Sequence, residues 1–268
     1  MTTTFGIAMA ESGDEFVPPG PNSFDFSAVP LFHLGEYAVT KPLVQLLLGG
    51  LVVFLFFYAA TRRVSLVPGR MQFAGESAYG MVRNSIGRDI IGSHDFQRFV
   101  PYLVTLFFFI LVNNVMASVP LVQFPTFSRA SMAYALAALS WVIYNAVGIK
   151  KHGLLGYLKL QTVPSGVTPL MYPLLVPLEF FSNIVVRPVT LALRLFANMF
   201  AGHLLLILFT TGGLYLIEQG GIGYVAGPLA WVLAIAIAFL ELLVQFLQAY
   251  VFTLLNAMYI SGALADEH

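Results

Sequence analysis

Four ionisable side chains stand in stretches of sequence that are otherwise almost wholly apolar: Glu179, Arg187, Arg194 and Glu241, with His203 among them. A charge at the centre of a bilayer costs about 2.5–3.5 kcal/mol on insertion scales. Such residues therefore face a partner or a water-filled cavity. At about 100° per residue of helix, Arg187 lies about 20° from Arg194, Asn198 about 40° and Glu179 about 60°. These four make one polar stripe, flanked by Ala197 and Ala201, which are small enough to let another helix come close. His203 lies about 180° around the same helix. On a later helix Gln245 and Gln248 fall within about 60° of Glu241, and Asn256 about 60° from it.

A row of His, Glu, Gln and Asn side chains can relay protons through water. Imidazole titrates near neutral pH, and a carboxyl taken out of water exchanges protons in the same range. Arginine stays protonated, so an arginine in such a row is not a carrier. It is a fixed charge that repels a passing proton and attracts a carboxylate. A path broken by an arginine works only if something else carries the proton around the break. That implies a partner with a mobile carboxylate inside the membrane.

The elements that must position these groups follow from composition. Of 268 residues, 58% are hydrophobic and 10% charged, against about a quarter charged in a soluble domain. So little charge cannot cover a soluble particle, and the chain reads as an integral membrane protein. Its net charge is zero, so no basic excess points to nucleic acid. It has no cysteine, which excludes disulfides and thiolate metal sites. Nothing resembles a P-loop, a zinc cluster or a nucleophile elbow, and no cofactor or metal is expected. Residues 42–61, 99–128, 130–149, 195–217, 219–240 and 242–265 carry no Asp, Glu, Lys or Arg. A bilayer-spanning helix needs about 20 such residues.

The fold class is therefore all-α: five transmembrane helices at roughly 43–60, 99–119, 130–149, 178–211 and 224–262. The last two exceed one bilayer thickness and should lie tilted. The turn signal Gln219-Gly220-Gly221-Ile222-Gly223 joins them as an antiparallel hairpin. Residues at equal depth in such a pair have numbers of constant sum. That rule sets Arg194 against Gln248, Asn198 against Gln245 and His203 against Glu241. Residues 70–92 form an amphipathic surface helix, because Ala74, Ala78, Val82, Ile86 and Ile90 recur at a spacing of four.

Residues 1–40 are an acidic segment without Lys or Arg, and 41–268 a single membrane domain whose polar hairpin covers about 178–262. Arg62, Arg63, Arg70, Arg83, Arg88, Arg98, Lys150, Lys151 and Lys159 fall on one side of the membrane, and only Lys41 and Arg129 on the other. The positive-inside rule makes the first side cytoplasmic. The N-terminus is then outside the cell and the C-terminus inside, in a multi-pass protein of the plasma membrane.

The stretch Arg187-Pro-Val-Thr-Leu-Ala-Leu-Arg194-Leu-Phe-Ala-Asn198-Met-Phe-Ala-Gly-His203 resembles the signature of subunit a of the F-type (F1Fo) ATP synthase, bacterial type. Leu247-Gln248-Ala249-Tyr250-Val251-Phe252 is similar to that family's second signature. Phe99 to Pro120, with Asn113 and Asn114, resembles its earlier helix. The resemblance covers about residues 40–268. It implies that Arg194 faces a rotating ring of c subunits and separates two offset half-channels. Gln248 is then the glutamine packed beside it, and Asn198 the asparagine one turn on. His203 and Glu241 match a coupled acid and imidazole in the half-channel open to the outside, here in reversed order. Gln245, Glu179 and Asn256 join the expected proton pathway from their place on the polar seams. The subunit b stator and the other F1Fo subunits are the implied partners, besides the lipid bilayer. ATP chemistry itself belongs to those other subunits. The alternative is a stand-alone secondary transporter or ion channel. That reading requires inverted repeats with broken helices in both halves, and the first half carries no intramembrane charge.

Overall fold

A computed structural model describes residues 20, 32–34, 37–62, 65–92, 95–119, 126–163 and 171–265. Most of the acidic N-terminal segment falls outside the described residues. Phe32–Leu34 (β1) and Tyr37–Val39 (β2) pair antiparallel, with Phe32 opposite Val39. The remainder is helical: α1 Lys41–Thr61, α2 Arg70–Val82, α3 Phe96–Ser118, α4 Ala130–Thr162, α5 Tyr172–Phe181, α6 Arg187–Gln219 and α7 Gly223–Leu264. Five helical stretches are long and apolar enough to cross a membrane, with Tyr172–Gln219 counted as one. The chain is an all-α, multi-pass membrane protein, since only self-satisfied backbones survive in hydrocarbon.

The first two spans lie within a few residues of the sequence expectation. The third does not end at residue 149. Helical backbone continues to Thr162, broken at Gly153, whose φ of 73° only glycine adopts without strain. Lys150 and Lys151 close the first leg, and Lys159 belongs to the second. Beyond the break the chain turns so that the Tyr157 ring packs on Gly148, where any Cβ would sit 2.1 Å from it. Lys151 Nζ donates to Leu264 O at 2.5 Å, tying this corner to the end of α7.

The fourth span starts earlier than residue 178 and is not a regular helix. α5 passes into α6 through π-helical turns at Ser182–Val186. Pro188 explains the disturbance. It has no N–H, so the Ile184 carbonyl loses its helical donor. The indole N–H of Trp141, on α4, donates to that carbonyl at 3.0 Å instead. An orphan carbonyl in hydrocarbon is thus satisfied from a neighbouring helix.

α6 and α7 form the expected hairpin. The chain reverses over Gly220–Ile222, with Gly220 at φ 72° and Gly221 at φ 59°, positions that favour glycine. Near the turn the two backbones almost touch: a Cβ on Gly227 would lie 2.7 Å from Gly213 O. Further from the turn the separation is filled by polar side chains. α3 runs through the centre of the bundle, with Leu103, Phe107 and Ile110 fully buried in a core shared with Ala192, Leu195, Ala249 and Phe252. Without a hydrophobic drive in lipid, small residues such as Ala192 and Ala249 let the helices pack closely.

The amphipathic helix is present, as α2 followed by π-helical turns at Arg83–Ile91. Its packing face differs in the first turns from the four-residue stripe. Gln72, Gly75, Val82 and Ile86 are buried, whereas Ala74 is exposed. Gly75 sets that face, because it abuts Ala60 of α1 with no room for a side chain.

Candidate functional site

The hairpin buries two of the chemically active side chains together. His203 on α6 and Glu241 on α7 are 8% and 6% exposed. His203 Nδ1 contacts Glu241 Oε1. On the other side of the ring, His203 Nε2 lies 3.4 Å from the Ala117 carbonyl oxygen at the end of α3. Gly202 makes room for the carboxyl: a Cβ there would lie 3.2 Å from Glu241 Oε1. Either group buried alone would leave a polar atom unpaired, at about 1–3 kcal/mol, more if charged. Their matching depth follows from the hairpin register read from the sequence.

The next two pairings differ from that register. Asn198 Nδ2 donates to Gln248 Oε1 at 2.7 Å, not to Gln245, and Gln248 is therefore not given to Arg194. Helix geometry explains the change. From Glu241, Gln248 turns about 20° one way and Gln245 about 40° the other. Only Gln248 stays on the α6 side. Gln245, 1% exposed, turns to α3: its Nε2 donates to Ser118 Oγ at 2.8 Å. Asn114 Nδ2 in turn donates to the Gln245 backbone carbonyl at 3.4 Å. Asn113 and Asn114 are both fully buried. Together Asn114, Ser118, Gln245, Glu241 and His203 make a polar lane between α3 and the hairpin.

Arg194 projects from the outer face of α6, exposed beside Leu193, Ala197, Asn198 and Ala201. The opposite side of this turn, Leu191, Ala192 and Leu195, is buried in the core. Among the described residues, the one carboxylate–base contact in the hairpin is His203–Glu241, and no carboxylate pairs with Arg194. α7 continues the exposed apolar face with Leu242, Leu243, Phe246 and Leu247. In a membrane such a face meets lipid or another protein, and an isolated guanidinium there calls for a counter-charge from outside the chain.

Glu179 does not extend the stripe of Arg194, whereas Arg187, the first residue of α6, keeps its place about 20° from it. The π-helical turns lie between Glu179 and α6, so the angle computed for a straight helix does not apply. Glu179 Oε2 accepts from Asn183 Nδ2 at 3.2 Å, and Asn183 also donates to Gln161 O. Arg187 is half-buried, with its guanidinium over the Tyr259 ring at 5.2 Å and a hydrogen bond to Gln161 Oε1 at 3.4 Å. These groups form a second polar cluster, toward the start of α6. Asn256 is fully buried between helices: the Tyr102 hydroxyl donates to its Oδ1 at 3.2 Å and lies 3.2 Å from Ser140 Oγ. Gln161, Asn183, Ser118 and Tyr102 were not singled out from sequence. The intramembrane position of Ser118 and Tyr102 was the available signal, but neutral hydroxyls leave no gap in a charge map.

The arrangement provides one acid–base pair buried in the hairpin, amides leading to it, and one unpaired cation on an apolar face. Comparison with known proteins gives the same direction. Residues 43–261 match the family model described as ATP synthase A chain. ATP synthase subunit a of Nocardioides sp. is 61% identical, with all of both chains covered. ATP synthase subunit a of Pseudarthrobacter chlorophenolicus is 50% identical over 97% of each chain. That of Streptomyces lividans is 40% identical, over 96% of this chain and 90% of the relative. With the match extending from the first membrane helix almost to the end of α7, the chain belongs to the ATP synthase A chain family.

Proposed function

We propose that this chain is the proton-channel subunit of the membrane sector of an ATP synthase, working against a ring of c subunits and held by a subunit b stator. Residues 41–268 act as one membrane domain in the plasma membrane, with the N-terminus outside and the C-terminus in the cytoplasm. The observation that carries the reading is Arg194: a lone guanidinium on an apolar helix face, with the buried His203–Glu241 pair on the far side of the same helix.

In this mechanism a proton enters from outside at Ser118 and Glu241, moves inward beside Gln245 and Asn114, and passes to a carboxylate on the ring. Asn198 and Gln248 hold each other beside Arg194 and fix the face that the ring meets. Arg194 attracts the ring carboxylate once it has lost its proton and blocks direct passage between the two half-channels. The second half-channel opens toward the cytoplasm through Glu179, Asn183, Gln161 and Arg187. Asn256, held by Tyr102, supports the wall between α3 and α7. Nothing in this sequence of steps involves nucleotide, which is the work of other subunits.

Purification through an affinity tag on this chain, in mild detergent, tests the assignment. A ring of small, carboxylate-bearing proteolipids should accompany it in fixed stoichiometry. A pure oligomer of this chain that conducts ions by itself would favour a stand-alone channel instead.

A further inference from the structure

The two nitrogens of His203 have different partners, and that difference determines how a proton can move. Nε2 faces the backbone carbonyl of Ala117 at 3.4 Å. A carbonyl oxygen only accepts, so Ala117 can hold a hydrogen on Nε2 but cannot take a proton from it. Nδ1 is the nitrogen in contact with Glu241 Oε1, and it is the acceptor there when the carboxyl carries the proton. Both side chains are buried, so the ring does not exchange readily with bulk water. The ionisable group touching it is Glu241, from α7. The other charged residues of the elements beside it are Arg98 on α3, Arg187, Arg194 and, one residue before the end of the helix, Glu218 on α6, Lys150, Lys151 and Lys159 on α4, and Arg129 after the Thr126–Ser128 turn.

We infer that His203 is a side arm of the proton path and not a link in it: it exchanges a proton only with Glu241, through Nδ1, while Ala117 holds its Nε2–H. The exchange balances within the pair. A carboxylic acid on Glu241 beside neutral imidazole becomes a carboxylate beside imidazolium, by transfer of one proton along Oε1···Nδ1. To act as a through-relay, the imidazolium would have to release its Nε2 proton to the group it faces. That group is an amide carbonyl, which does not take up a proton near neutral pH. Traffic therefore enters and leaves through the other carboxyl oxygen of Glu241, Oε2. His203 stores the proton briefly and is the positioning base for Glu241. The inference rests on the proposed proton-channel reading, and it settles which member of the pair is the through-carrier.

Two measurements on the intact complex test it. In proteoliposomes, ATP-driven proton pumping by the Glu241→Gln complex should fall about 100-fold or more, the scale of losing an acid–base group. His203→Asn and His203→Gln should each retain about a tenth or more of wild-type pumping, because the carrier remains. Equal and complete loss in all three, with normal assembly, would overturn the side-arm role. The second readout does not depend on turnover. In complexes labelled with ring-15N histidine, the wild-type minus His203→Asn difference spectrum isolates His203. Its Nε2 should remain protonated across a pH titration, with all change at Nδ1. A bare Nε2 beside a protonated Nδ1 at any pH would also overturn it. If the wild-type complex pumps no protons while the nitrogen assignment holds, the channel reading fails and the tautomer stands.

Discussion

Arg194→Ala and Arg194→Gln should abolish proton-driven ATP synthesis by the assembled complex. The expected change is from wild-type rate to background, measured in inverted vesicles energised by a proton gradient. The reason is that no other residue can replace the fixed charge. Arg194 is the one guanidinium on the exposed face of α6, where Leu193, Ala197 and Ala201 are its neighbours. Arg187, the nearest alternative, is half-buried against Tyr259 and Gln161. Without Arg194, a deprotonated ring carboxylate in the apolar interface would have no counter-charge, at a cost of several kcal/mol. The barrier between the half-channels would vanish too, so the neutral variants should leak protons passively. Arg194→Lys keeps a charge but not the planar fork that binds a carboxylate in two places, so it should also fail to support full synthesis. Near wild-type synthesis in Arg194→Ala would contradict the account.

The second large effect concerns the buried pair. His203→Glu alone sets two carboxyls in contact, and Glu241→His alone sets two imidazoles there. Each should reduce proton-driven synthesis about 100-fold, since one acid–base function is lost and like groups repel. Combining the two restores one acid and one base at the same depth. The double variant should recover clearly more activity than either single one. Gly202 is the reason to expect recovery at 203: with no Cβ it leaves the neighbouring space that the carboxyl of Glu241 now occupies. Losses that are strictly additive on a logarithmic scale would show that the two positions do not interact.

What the sequence carried can be traced to particular residues. The apolar runs gave five spans because a membrane helix must be about 20 residues long and nearly free of charge. The glycines at 220 and 221 marked the hairpin turn, since the reversal needs positive φ there. With the turn located, counting back from it placed His203 against Glu241. The same count misplaced Asn198, because depth alone ignores direction around the helix. Gln248 and Gln245 lie on opposite sides of Glu241, so one meets α6 and the other α3. The polar stripe drawn through Glu179 failed for a different reason. It assumed a uniform helix, whereas Pro188 and the π-helical turns before it change the phase. The pattern of one sequence does not say when a helix departs from 3.6 residues per turn. Nor did it reveal the Ala117 carbonyl beside His203, because a backbone atom has no residue type to read.

The central claim is that the face of α6 bearing Arg194 meets the carboxylate-bearing helix of the ring. Cysteine cross-linking tests this most directly, in a chain with no cysteine of its own. Ala197 is exposed on that face, while Met199, two residues on, is 2% exposed and buried in the core. Ala197→Cys, combined with single cysteines scanned along the ring helix near its carboxylate, should form an oxidised adduct between this chain and a ring subunit. Met199→Cys should form none. An adduct from position 199 with none from 197 would place the opposite face of α6 against the ring and contradict the account.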